Sequence, residues 1–99
     1  MSIAQRPGVA ACVFNGAAAS IIKSTGIVSV VRNSPGVYTV TTRERYSDDS
    51  IPMVGPIEND FFAFVEPQVD LRVFIVFTKD STFTLSDTTW WFVVERIVA

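Results

Sequence analysis

A 99-residue chain with 48% hydrophobic and 12% aromatic side chains is too apolar to stay disordered and too short for two cores, so one domain spanning 1–99 is expected. Its net charge is -2, and its eight basic residues are scattered apart from Arg43 and Arg45, which argues against nucleic acid as the main partner, since phosphate binding needs a concentrated basic surface. Cys12 is the only cysteine, which excludes an intrachain disulfide and favours folding in a reducing cytoplasm.

Met1 to Arg6 are expected as a short N-terminal arm. Val9 to Phe14 make an apolar run too short for a signal peptide or a membrane span. Gly8 to Phe14 is expected as the first strand, with Cys12 a buried, inert thiol and Asn15-Gly16 a turn signal. Ala17-Ala18-Ala19 has high helix propensity but is far too short to nucleate a helix, so it is expected as a loop leading to a strand at Ser20 to Lys23.

Two runs rich in β-branched residues flank Asn33-Ser34-Pro35-Gly36, and they organise the chain as a β-hairpin over 26–42. Pro35 fixes φ and Gly36 accepts a positive φ, as a turn requires. On the second strand Tyr38, Val40 and Thr42 share the inner face, with the Tyr38 hydroxyl expected to reach solvent. Val37, Thr39 and Thr41 share the wetter face. Arg43 to Gly55 is polar and contains Pro52, which predicts a long loop. Strands are then expected at Phe61 to Val65, Val69 to Thr78 (the longest), Thr82 to Leu85 and Thr89 to Val98, with turns at Glu66-Pro67-Gln68, Lys79-Asp80-Ser81 and Ser86-Asp87. No segment keeps a helical period. The expected fold is all-β, an antiparallel β-sandwich or flattened barrel of six to eight strands.

The carboxyl-terminal strands are apolar on both faces. Phe61, Ala63 and Val65 oppose Phe62 and Phe64; Val69, Leu71, Val73, Ile75 and Phe77 oppose Phe74 and Val76, which follow Asp70 and Arg72; Trp90, Phe92 and Val94 oppose Trp91, Val93 and Ile97. An antiparallel sheet in a small monomer keeps one face wet, so this pattern predicts an oligomer interface. Phe62, Phe64, Phe74, Val76, Trp91 and Val93 are its expected residues. Trp90 and Trp91 point to opposite faces, so at most one can be a sugar-stacking platform, and core or subunit interface is expected for both.

Catalytic signatures are sparse. With no histidine there is no Ser-His-Asp or Cys-His arrangement, and no His-based metal site. Asp48, Asp49, Glu58 and Asp60 remain as candidates for a glycosidase pair or calcium ligands, but their spacing is not that of a calcium loop. Solvated loop carboxylates are the expectation, with no enzyme activity, no cofactor and no metal.

Arg6-Pro7, Val13-Phe14-Asn15-Gly16, Ile21-Ile22-Lys23, Val30-Val31-Arg32 and Gly36-Val37-Tyr38-Thr39-Val40 follow one another in an order that resembles a small β-module of tail-fibre and other virion surface proteins of tailed bacteriophages. The likeness covers residues 1–42, and more loosely the closing strand Trp90 to Val94. Thr42 stands where that module usually carries Phe, and the middle of the chain lacks its Met-Pro step. The resemblance implies a virion structural protein, made in the host cytoplasm and assembling as a homotrimer with capsid or tail proteins: a capsid decoration protein or a small tail knob. The alternative it implies is a fibre-tip module that recognises a receptor or host cell-surface glycan. A tip is expected to bring an attachment segment and a shaft, and their absence from Met1 onward tilts the expectation to the structural role.

Overall fold

In a computed structural model of the protein, which describes residues 9–46 and 50–95, the chain forms eight strands and, among the described residues, no helix. They are β1 (Val9–Asn15), β2 (Ser20–Thr25), β3 (Ile27–Ser34), β4 (Val37–Thr42), β5 (Ile51–Pro56), β6 (Phe62–Pro67), β7 (Val73–Lys79) and β8 (Thr89–Glu95). Two four-stranded antiparallel sheets result, with strand orders β2-β1-β8-β5 and β3-β4-β7-β6. The domain measures 40 × 28 × 21 Å. The expected arm at 1–6, the carboxylates Asp48 and Asp49, and the last residues of the closing strand lie outside the described residues.

Alternation decides which face is core. Ala10, Cys12 and Phe14 of β1, Tyr38 and Val40 of β4, Phe74 and Val76 of β7, and Trp90, Phe92 and Val94 of β8 all point between the sheets and are buried. Phe14, Tyr38 and Trp90 form one aromatic cluster, with ring centroids 5.1 to 5.5 Å apart. Phe74 continues the core against Phe92 at 5.3 Å and Tyr46 at 6.5 Å. Cys12 is buried as expected, and burial pushes its thiol pKa up to about 12, so it stays protonated and inert.

Four expectations need correction. Phe74 and Val76 are not interface residues: each is sealed in the chain's own core, because the inward phase of β7 begins at Phe74. The region expected as a loop over 43–55 ends in a strand, β5, whose Pro52 and Pro56 are tolerated because β5 lies at the edge of its sheet. The long strand starts at Val73 rather than Val69. Residues 68–72 instead form a hairpin turn, in which the Asp70 carboxylate accepts from Arg72 N–H at 3.1 Å and the Gln68 N–H donates to the Val73 carbonyl at 3.0 Å. Thr82 to Leu85 contributes a single bridge, Leu85 to Lys79, and no strand.

The hairpin at 27–42 forms with Gly36 at φ +74° after Pro35, the order a type II turn demands. A Cβ at Gly36 would stand 2.5 Å from the Thr78 carbonyl oxygen, so the tip can pack on β7 only with glycine there. Val37, Thr39 and Thr41 form the outer face, as expected.

The two phenylalanines of adjacent strands β6 and β7 separate core from surface. Phe74→Ala is expected to lower stability by about 3–5 kcal/mol, the range for emptying a packed aromatic site, and Phe64→Ala by about 1 kcal/mol or less. Urea denaturation at low protein concentration measures both; equal losses would contradict this division of faces.

Candidate assembly surface

The outer faces of both sheets carry large apolar side chains. On β6, Phe62 is 43% and Phe64 45% exposed. The antiparallel register sets Phe64 beside Phe77 and Phe62 beside Lys79 of β7. The Lys79 ammonium lies 5.9 Å from the Phe64 ring centroid and 5.7 Å from that of Phe83. Phe64, Phe77 and Lys79 line an open groove of about 300 Å³.

Phe83 is brought to this face by a strained loop. Its φ is +61°, a left-handed conformation that costs an aromatic residue roughly 1 kcal/mol. The Asp80 carboxylate holds the loop by accepting from Thr82 N–H at 2.9 Å, the Thr82 hydroxyl at 2.6 Å and Thr84 N–H at 3.1 Å. Those bonds, the Thr82 hydroxyl foremost, hold the Asp80 pKa below its ordinary value. The Phe83 ring then stacks on Phe62, with centroids 5.0 Å apart and planes 4° from parallel.

On the opposite sheet, Trp91 and Val93 point outward from β8. Trp91 pairs with Val13 on one side and Gly55 on the other, while Val93 pairs with Ala11 and Met53. The Trp91 indole lies over Gly55: a Cβ there would stand 2.5 Å from indole Cζ2. Glycine therefore makes the flat seat, and Trp91 is left 37% exposed. The expected interface residues thus divide three ways. Phe62 and Phe64 share one outer face, Trp91 and Val93 share the other, and Phe74 and Val76 belong to neither.

Phe77, Lys79, Phe83, Met53 and Gly55 were not singled out from the sequence. Phe83 becomes visible only through the backbone twist at its own position, and Met53 and Gly55 only once β5 is known to be a strand. The Glu58 carboxylate accepts from the Thr88 hydroxyl at 2.9 Å and Thr89 N–H at 3.2 Å, which ties it to the start of β8.

A polar clip fixes the strap from Asp80 to Thr88 that carries Phe83. The Asp87 carboxylate accepts from Arg32 Nη2 at 2.7 Å and Arg32 Nε at 3.0 Å, from Gly36 N–H at 3.0 Å and from the Tyr38 hydroxyl at 2.6 Å. The Tyr38 hydroxyl is therefore sequestered against Asp87 rather than reaching solvent, contrary to expectation. Burial and then this bond push the Tyr38 pKa up to about 12. The Arg32 hydrogen bond first, with help from Tyr38 and Gly36, holds Asp87 down at about 2.

The pH dependence follows with a definite sign. An unfolded Asp titrates near 3.9 and the folded Asp87 near 2, so the clip's contribution is complete above about pH 4 and disappears as pH falls toward 2. Denaturation midpoints measured from pH 6 to pH 2 are expected to fall across this window in the wild type. In Asp87→Asn the fall is expected to be shallower from a lower starting midpoint; curves that stay parallel would contradict the assignment.

No protein-family model, curated protein or solved structure matches this chain, so the functional reading rests on its own residues and surfaces.

Proposed function

We propose that this protein is a non-enzymatic structural subunit of a bacteriophage virion, a capsid decoration protein or small tail component that acts by symmetric self-assembly as a homotrimer. One observation carries the reading: Phe62, Phe64 and Trp91 stand 37 to 45% exposed on the outer faces of rigid sheets. Burying a large apolar side chain contributes roughly 1.5–3 kcal/mol, so an uncovered face of this kind forgoes several kcal/mol that a neighbouring subunit recovers. Identical chains with such faces assemble most often with closed symmetry. The motif order over residues 6–40, similar to that of phage virion modules, supports the setting and the threefold state.

The second reading is a receptor- or glycan-binding fibre tip. It draws on the coplanar Phe62 and Phe83 rings, since stacked aromatic faces also bind sugar rings.

Sedimentation at micromolar concentration is expected to give an oligomer, with three times the monomer mass. Phe64→Asp and Trp91→Asp are expected to shift it toward monomer with the circular dichroism spectrum unchanged. A wild-type monomer at these concentrations would contradict the proposal. Glycan-dependent retention on an array by that monomer would favour the second reading.

A further inference from the structure

We infer that the tip of the β6–β7 hairpin in one copy, Val69 and Asp70, seats in the groove formed by Phe64, Phe77 and Lys79 of a second copy. This rests on the self-assembly reading and names the contact that carries it.

Val69 is 98% exposed at the end of the hairpin. It is not a loose apolar residue, because the turn beneath it is tied down. The Val73 N–H donates to the Asp70 carbonyl at 2.9 Å, and the neighbouring Tyr46 N–H donates to the Leu71 carbonyl at 3.1 Å. The chain therefore holds a small apolar knob in water, with a carboxylate beside it.

The groove supplies the complement. Its walls are aromatic, its volume is about 300 Å³, and its charge is the Lys79 ammonium. Among the described residues Lys79 forms no ion pair. The nearby Asp80 carboxylate is engaged by Thr82 and Thr84 of its own loop, and Glu66 lies farther along β6, opposite Ile75. An apolar knob with a negative charge fits an apolar groove with a positive one.

Topology makes the contact intermolecular. In the antiparallel β6–β7 pair, Phe62 faces Lys79 at one end and Pro67 faces Phe74 at the other, where the tip begins. Knob and groove thus sit at opposite ends of one rigid hairpin and cannot meet within a chain. Each copy offers one of each, a head-to-tail contact that closes into a ring when the rotation between copies allows.

The test is sedimentation across a concentration series for the wild type, Val69→Ser, Lys79→Glu and the double variant Lys79→Glu/Asp70→Lys, with circular dichroism to confirm folding. Val69→Ser and Lys79→Glu are each expected to weaken association about tenfold or more, and the double variant, which exchanges the two charges, to recover most of that loss. Wild-type association by Val69→Ser and Lys79→Glu would overturn this contact while leaving self-assembly standing. So would failure of the folded double variant to recover. A wild type that remains monomeric throughout would overturn both.

Discussion

The Asp87 carboxylate ties together pieces of the chain that the apolar core alone does not fix. Arg32 and Gly36 bring the β3–β4 hairpin tip to it, Tyr38 brings the aromatic cluster, and Asp87 itself ends the strap that crosses from one sheet to the other. Backbone bonds reinforce the junction: the Gly36 carbonyl accepts from Thr78 N–H at 2.8 Å, and the Thr88 carbonyl from Gly16 N–H at 3.1 Å. Core burial is non-directional and says only that the sheets must stack. The clip sets where they stack, because a carboxylate with three donor groups around it has few alternative positions. It also anchors the strap whose other end presents Phe83 to the outer face.

Much of the architecture was legible because period-2 alternation is a strong signal. The hairpin around Pro35-Gly36, the inward set Tyr38, Val40 and Thr42, the buried Cys12 and the absence of helix among the described residues all follow from side-chain parity and turn chemistry. Parity also separated Trp90 from Trp91 correctly. It did not say which parity faces the core where both are apolar, and so Phe74 and Val76 were expected at an interface that they do not reach. β5 was hidden by Pro52 and Pro56, which suggest a loop until edge position is known. The Asp87 clip joins residues 49 to 55 positions apart, and nothing local in Ser86-Asp87 announces it beyond a turn.

The proposed function rests on the two-sided strands. One apolar face per strand makes the core, and the second leaves large side chains exposed among the described residues: Phe62, Phe64 and Phe83 on one sheet, Trp91 and Met53 on the other. These surfaces are not loosely formed. Phe83 is held in a strained backbone conformation by a hydrogen-bonded loop, and Trp91 rests on a glycine that leaves room for it. Rigid, preformed apolar faces lose little conformational entropy when they are covered, which is what the proposed assembly requires.

Hydrogen exchange followed as protein concentration rises tests the central claim most directly. The amides of edge strand β6, from Phe62 to Glu66, are predicted to gain protection as copies cover the face beside them, while those of β1, already paired on both sides, hold a constant rate. Exchange in β6 that is independent of concentration, up to the range where assembly is expected, would contradict the account.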